Sequence, residues 1–312
     1  MKEGAGDEDR SVMNKVTMTA VGLAGWVVLA ATTQAQAPQP SPSPAATALP
    51  AAASSADLAK QLSNPVASLV SIPFQFNWDQ PVGPDEASRF VLNFQPVVPM
   101  TLSEDWNLIL RWIMPFIGQP VLFEGGTPES GMGDIVASFF LSPSKPGKFI
   151  WGAGPVFMLP TNSTPFLGAS RWAAGPTFVV LKQSSGWTYG MLANHLWSFA
   201  GPDWAGGVER GDVNASFLQP FVSYTTKNVV TIALNAEASA NWKIYRSASD
   251  GSFSEEDGTD WTIPINLTVT KLTEFGPLPM SIGGGVGVFV ETPNGEPDWR
   301  LRLVATVLLP RR

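Results

Sequence analysis

Apolar side chains recur at every second position along most of this 312-residue chain, and this alternation constrains its fold more than any other feature. In one segment the alternating apolar residues are Ile72, Phe74, Phe76 and Trp78. In another they are Trp299, Leu301, Leu303, Ala305, Val307 and Leu309. Successive side chains of a β-strand point to opposite faces, so each segment predicts a strand with one apolar and one polar face. Repeated about a dozen times, the pattern is typical of a transmembrane β-barrel.

We predict twelve strands from these segments. They lie near 71–79, 88–98, 106–116, 133–142, 149–159, 171–182, 187–198, 211–224, 228–246, 260–272, 279–291 and 298–309. The connections after the even-numbered strands are short, whereas those after the odd-numbered strands are mostly longer and often acidic. Outer-membrane barrels have short periplasmic turns and long extracellular loops. The sequence therefore predicts an all-β fold, an antiparallel transmembrane β-barrel in the outer membrane of a Gram-negative bacterium.

The composition narrows the classes of function. Charged residues make up 14% of the chain, against roughly 25% in a typical soluble domain, as expected if an outer wall faces lipid. The net charge of −7 argues against nucleic acid as a partner. The chain has no cysteine, which excludes disulfides and thiolate metal sites, and no His or carboxylate set has metal-ligand spacing within a strand. We expect no cofactor; the expected partners are outer-membrane lipid, lipopolysaccharide, the outer-membrane insertion machinery and a small solute.

The N-terminal part predicts export. An apolar run from Val16 to Ala31 is followed by small residues that allow cleavage after Ala35 or Ala37, so residues 1–37 read as a cleaved signal peptide. A membrane anchor is the alternative, although the run is short for a spanning helix. The first ten residues are acidic, which makes Met13 a candidate for the true start. Residues 38–56 form an Ala/Pro-rich linker, 57–70 a short helical lead-in or plug, and 71–312 the barrel.

Tryptophan and proline give further expectations. Trp106, Trp151, Trp172, Trp187, Trp261 and Trp299 fall at strand starts, and Trp78 and Trp197 at strand ends. Such positions suit the aromatic girdles at the two membrane interfaces, and an ordinary core is the alternative.

Several prolines fall inside predicted strands, including Pro96 and Pro264. Pro155 and Pro176 occupy equivalent positions in a near-repeat formed by residues 151–157 and 172–178. We expect them to mark bulges or errors in the strand limits.

Several segments resemble a bacterial family of outer-membrane proteins. They are Asn64–Gln75, Gly131–Asp134, Trp151–Pro155, Ala193–Ser198 and Phe217–Tyr224. Members of that family are usually labelled only "transporter", sometimes "neuromedin U", and the family is similar in turn to the barrels associated with phenol-degradation pathways. The resemblance covers the chain from Asp57 onward. It implies an outer-membrane barrel with a transport role and supplies no substrate-binding residues.

The polar faces of the strands carry the candidate functional residues. They are Arg89, Arg111, Asp134, Glu237, Arg300 and Arg302. A charge facing lipid at mid-bilayer costs about 2–4 kcal/mol for Arg or Lys, so these side chains are expected to line the lumen. Opposed charges there could set the selectivity of a channel for a small solute. The alternative is that they pair to fill a non-conducting structural barrel, with the lumen plugged by residues 57–68.

A third reading concerns His195, the single histidine of the chain. A barrel hydrolase would need a Ser–His pair held by a third polar group, and Ser198, Asn194 and Ser216 are near in sequence. A lone histidine beside Trp197 is more often structural, so we expect no enzymatic activity. The acidic loop from Asp250 to Asp260 could bind divalent cations or attract cationic solutes, and more often such loops are simply solvated.

Overall fold

The computed structural model describes residues 55–67, 69–122, 125–205, 208–209, 211–247, 253–276 and 278–309. The expected signal peptide, residues 38–54 of the expected linker and residues 250–252 of the acidic loop lie outside this part of the chain. A helix, α1 (Ser55–Gln61), comes first and is followed by strands. No helix among the described residues is long and apolar enough to cross a membrane.

Twelve long strands make up the described barrel. Two of these strands are interrupted by two residues each, and a third is interrupted by one residue. The twelve strands are β1 (Val70–Val82), β2 (Ala87–Phe94 and Val97–Thr101), β3 (Trp106–Gln119), β4 (Glu129–Met132 and Ile135–Pro143), β5 (Ile150–Leu159), β6 (Trp172–Ser184), β7 (Trp187–Ala200), β8 (Asn214–Thr225), β9 (Val230–Ala236 and Ala238–Ser247), β10 (Phe253–Phe275), β11 (Leu278–Glu291) and β12 (Trp299–Leu309). The long loops contain a 3-10 turn (Pro165–Leu167) and a short hairpin whose two strands have two residues each (Trp204–Ala205 and Val208–Glu209).

Every strand pairs antiparallel with the next along the chain, and the last closes on the first. The closing ladder between β12 and β1 runs from Val70 opposite Leu309 to Gln80 opposite Trp299. The predicted antiparallel twelve-strand barrel is therefore confirmed. The largest error in strand limits is in β10, which begins at Phe253 rather than near 260. Its first residues pair with the end of β9, and they lack the apolar alternation from which the limits were predicted.

The prolines interrupt the ladders in three different ways. Pro96 lies in the break of β2, and Pro264 coincides with a register shift between β10 and β11, as expected of a bulge. Pro155 and Pro176 face each other directly across β5 and β6, with the register unchanged on either side. On their far sides the ladders to β4 and β7 skip two positions and resume in the same register. The missing N–H groups thus open these ladders locally without inserting a residue, contrary to the expected bulge.

The outer wall is apolar and carries two aromatic bands. Phe74, Trp112, Phe116, Tyr189, Leu267, Val286 and Leu303 are among the large apolar side chains that point outward. Trp106 contacts Trp151 at the rim of short turns, and Trp78 contacts Trp299 at the rim of long loops, with ring centroids 6.0 and 6.1 Å apart. The expected girdles are thus present at both rims, as in barrels that span a membrane.

The segment before β1 occupies the short-turn end of the barrel. Ala59, Leu62 and Leu69 pack with Leu272 of β10 and Leu308 of β12, both near that rim. Farther in, Val66 belongs to an apolar cluster with inward-facing residues of the wall. The described stretch from Leu62 to Ala67 is buried throughout. Residues that the sequence assigned to a helical lead-in or plug therefore lie inside this mouth.

Candidate functional site

The inner face of the barrel divides into a polar wall and a largely apolar wall. The polar wall is formed by β9–β12 and β1–β3, whose buried inward residues include Thr231, Glu237, Asn266, Thr268, Thr270, Ser281, Arg300, Arg302, Thr306, Gln75, Asn77, Asp79, Arg89, Asn93, Gln95 and Arg111. The opposite wall, β4–β8, buries Val136, Phe140, Ile150, Val156, Met158, Val179, Leu181, Leu192, Leu196, Phe217 and Phe221. The sequence predicted a polar lumen and missed the apolar wall.

At the centre of the polar wall, Glu237 of β9 pairs with two arginines of β12. Arg302 donates from Nη1 and Nη2 to the two oxygens of Glu237, at 2.8 and 2.9 Å, in a bidentate pair. Arg300 Nη1 lies 3.4 Å from Glu237 Oε2. The Glu237 side chain is fully buried, at 0% exposure. Because isolated buried charges are expensive to desolvate, a carboxylate in this position depends on both guanidinium groups.

The same cluster continues toward the long-loop rim through β1. Arg300 Nε and Nη2 donate to the two oxygens of Asp79 at 2.6 and 2.8 Å, and its guanidinium lies over the Phe289 ring. Arg89 of β2 reaches the same Asp79 at 3.6 Å and Glu296 of the last loop at 2.8 Å. Of the six candidates from the sequence, Arg89, Glu237, Arg300 and Arg302 are thus brought into one network.

A chain of side-chain amides links Arg111 of β3 to this network. Arg111 Nη2 donates to Gln95, Gln95 contacts Gln75, and Gln75 contacts Asn77, at 3.2, 3.5 and 3.4 Å. Asn77 in turn accepts a hydrogen bond from Arg302 Nε at 2.8 Å. No carboxylate of the described residues lies within ion-pair distance of Arg111. The network, defined here as these residues with Asp79, Arg89, Glu237, Glu296 and Arg300, therefore holds four guanidinium groups and three carboxylates.

The inward glycines of β11 make the pairing of Glu237 with the arginines possible. Two strands, β10 and β11, separate Glu237 from Arg300 and Arg302, so the side chains meet across their inner faces. Gly285 is the ladder partner of Arg302 and Gly287 is the partner of Arg300. Without side chains at these positions, nothing from β11 stands between the charged groups. From sequence alone, a run of glycines at Gly283–Gly285 inside a strand suits only a bend or close packing.

Two buried amides of the lumen have no partner among the described residues. Both polar atoms of Asn93 in β2 and of Gln219 in β8 make no hydrogen bond, and both residues are fully buried. Asn93 is the ladder partner of Gln75, within the polar wall. Buried polar groups are nearly always satisfied, and orphaned ones call for a water, an ion or a ligand.

Asp134 lies apart from the network. Its Oδ2 accepts hydrogen bonds from the backbone N–H of Ala169 at 2.6 Å and of Ser170 at 3.1 Å, and its Oδ1 accepts one from that of Asn162 at 3.2 Å. Asp134 sits in the break of β4 and so holds the long loop between β5 and β6. It is a loop anchor here rather than a partner of the lumen arginines.

The residues that the sequence grouped around His195 fall on two faces of the barrel. Asn194 and Ser198 share the inward parity of Leu192 and Leu196, whereas His195 shares the outward parity of Met191 and Trp197. His195 contacts Ser216 of β8 on the outer face, and its ring lies against that of Trp197 at a tilt of 46°. Of the three polar neighbours named from the sequence, the structure therefore brings only Ser216 to the histidine.

A closed β-barrel with an apolar outer wall, two aromatic bands and a charged lumen defines the class of protein, an outer-membrane β-barrel. Its fold is similar to the crystal structure of an outer membrane channel from Pseudomonas putida F1, at 16% identity and a TM-score of 0.57, over 77% of this chain and 96% of that one. It is also similar to the NanC porin, at 10% identity and a TM-score of 0.47, over 78% of this chain and 100% of that one. No family model and no curated protein matches the sequence.

Proposed function

We propose that this protein is an outer-membrane channel that passes a small solute through its lumen, and that it belongs to the transporter family that its sequence resembles. The observation that carries the proposal is the charged network of the polar wall, in which four guanidinium groups face three carboxylates. An excess of fixed positive charge in a confined lumen attracts anions and repels cations. We therefore propose a preference for anionic solutes.

Two further features support passage of a solute with an apolar part. The wall formed by β4–β8 is apolar, so a molecule between the walls would meet guanidinium groups on one side and aliphatic or aromatic side chains on the other. The unpartnered amides of Asn93 and Gln219 would hydrogen-bond a polar group of the solute. Ligand sites of this kind combine an apolar lining with a few placed polar groups.

The second candidate is a structural barrel that does not conduct. It is favoured by the burial of Leu62–Ala67 in the short-turn mouth and by side chains of the network, such as Arg302, that are almost fully buried. For the channel proposal, this segment must move before a solute passes. The two candidates therefore differ in whether the segment can leave the mouth.

A disulfide between Val66 and the wall tests this difference. A Cβ at Gly152 of β5 would lie 3.0 Å from Val66 Cγ1, so Val66→Cys with Gly152→Cys places two thiols close together in a chain that has no other cysteine. Channel recordings in planar bilayers would compare the oxidised and reduced forms, with Val66→Cys alone as the control for the reductant. We expect reduction to restore conductance that oxidation abolishes. Folded wild-type protein without conductance would contradict the channel proposal.

A further inference from the structure

A hydrogen-bonded cluster on the outer face of the barrel has no part in the lumen. It consists of His195 on β7 with Asn214 and Ser216 on the neighbouring strand β8. His195 and Ser216 are direct partners across the ladder, and Asn214 lies two ladder positions nearer the long-loop rim, opposite Trp197. All three side chains are half-buried. They lie on the lipid-facing side of the wall, where polar groups are costly unless they are satisfied.

The hydrogen bonds of the cluster define one tautomer of the histidine. His195 Nε2 lies 3.0 Å from Asn214 Oδ1, an oxygen that only accepts, so Nε2 carries the ring proton. His195 Nδ1 is then unprotonated and accepts the Ser216 hydroxyl proton across 2.7 Å. A serine hydroxyl bonded to a neutral imidazole, whose other nitrogen is held by a third polar group, is the arrangement that activates a nucleophile.

The position of the cluster matches the depth of lipid ester groups. The Trp197 ring lies against His195, tilted by 46° with ring centroids 4.1 Å apart, and Trp242 of β9 contacts Ser216. Tryptophans of this kind mark the membrane interface, here on the side of the long loops and hence of the outer leaflet. Acyl esters of lipids lie at this level, between the head groups and the hydrocarbon.

A donor for the reaction is also present. Trp242 Nε1 donates to Ser216 Oγ at 2.8 Å, and the Trp242 side chain is partly exposed. When the serine oxygen bonds to a carbonyl carbon, the new oxyanion forms next to that oxygen and within reach of the same indole N–H. Donors aimed at the developing oxyanion are usually the largest single contribution to this type of catalysis.

We propose that Ser216, His195 and Asn214 form a lipid-facing esterase site that hydrolyses acyl esters of outer-leaflet lipid. Ser216 Oγ attacks the ester carbonyl while its proton passes to His195 Nδ1, and that proton is then transferred to the departing alkoxide. Water attacks the acyl-serine, gives a proton to His195 Nδ1 and releases the fatty acid, after which the serine regains its proton. Asn214 is a positioning residue that holds the tautomer. This proposal departs from the expectation of no enzymatic activity and does not rest on passage through the lumen.

Labelling with a fluorophosphonate probe tests for an activated serine directly. The folded protein in detergent, identified by its heat-modifiable mobility on gels, is treated with the probe, and turnover of p-nitrophenyl octanoate in mixed micelles is measured beside it. We expect wild type to be labelled and active, and Ser216→Ala and His195→Asn to fall to the background rate. Ser198→Ala, in which the inward-facing serine bonded to Asp212 is removed, should keep both signals.

Two further measurements separate a positioning role from a structural one and identify the lipid. Asn214→Asp should move the acidic limb of the pH–rate profile to higher pH, because a carboxylate stabilises the imidazolium. Asn214→Ala should lower kcat with little change in KM.

Mass spectrometry of fatty acids released from phosphatidylethanolamine micelles and, separately, from lipopolysaccharide distinguishes the two ester sources. Folded wild type that is neither labelled nor active, or Ser216→Ala labelled as strongly as wild type, would overturn the proposal.

Discussion

Arg302 and Glu237 face each other across the inner surfaces of two intervening strands and form a bidentate ion pair with N–O distances of 2.8 and 2.9 Å. The pair joins β9 to β12, which are not neighbours in the barrel. Arg300 shares the same carboxylate and extends the contact to Asp79 of β1. Glu237 thereby holds Arg300 and Arg302, two of the four guanidinium groups that we assign to selectivity.

Removing the charge of Glu237 should destabilise the barrel. Glu237→Gln keeps the shape of the side chain but leaves Arg302 without a carboxylate, and breaking a buried pair costs about 3–5 kcal/mol. The free energy of unfolding, measured in urea from lipid vesicles, should fall by about that amount. Glu291→Gln, at the exposed end of β11, is the matched control and should change little. Equal free energies of unfolding for Glu237→Gln and wild type would show that the ion pair does not stabilise the barrel.

The glycines of β11 should resist even the smallest substitution. A Cβ at Gly285 would overlap the backbone carbonyl oxygen of Leu267 on β10, so Gly285→Ala must shift the wall. Overpacking of this kind costs typically about 1–3 kcal/mol, and urea unfolding should detect it. Gly147→Ala is the control, since an added Cβ there meets nothing within 4 Å. Equal effects of the two substitutions would contradict the close approach at Gly285.

Arg111 should be the most effective single determinant of anion preference. Among the described residues it hydrogen-bonds to the side chain of Gln95 and forms no ion pair, so its charge is the one that the ion pairs leave without a carboxylate. Arg111→Gln should move the reversal potential in a KCl gradient toward that of a cation-preferring channel. Lys271→Gln removes the same charge from an exposed position on β10 and should leave the reversal potential unchanged. A larger shift of the reversal potential in Lys271→Gln than in Arg111→Gln would show that Arg111 does not determine the anion preference.

Asp134 should control the order of the loop between β5 and β6. Asp134→Asn weakens the acceptor of the Ala169 and Ser170 amides, whose bonds are charge-assisted. These amides should then exchange their hydrogens faster, and proteinase K should cut the loop sooner on intact cells. Asp85→Asn, in the exposed turn after β1, is the control. Unchanged protection at Ala169 and Ser170 would show that the loop is held by other contacts.

The strand count, the antiparallel order and the two sides of the wall follow from the sequence because side chains in a strand alternate with period two. The same parity places Arg89, Arg111, Arg300 and Arg302 inside, and it would also have included Asp79, which shares the inward parity of β1 with Gln75 and Asn77. The sequence does not predict which charges pair. Glu237 and Arg302 pair across two intervening strands, and no local sequence pattern encodes a contact of that kind.

The sequence missed the apolar wall and anticipated only part of the proposed esterase site, for related reasons. Inward residues of β4–β8 such as Val156 and Leu192 are as apolar as their outward neighbours, so alternation gives no signal there. His195 was compared with Asn194 and Ser198 on its own strand and with Ser216 because all three lie near it in sequence, whereas its contacts are set by the ladder between β7 and β8. Ser216 was among the candidates by chance of proximity, and Asn214 was not.

Recording from the folded protein in planar bilayers under a KCl gradient is the most direct test of the proposed channel. We expect discrete conductance steps with a reversal potential on the anion-preferring side, because the network holds one guanidinium more than it holds carboxylates. Protein that is fully folded by heat-modifiable mobility and yet yields no steps, or steps with cation preference, would contradict the account.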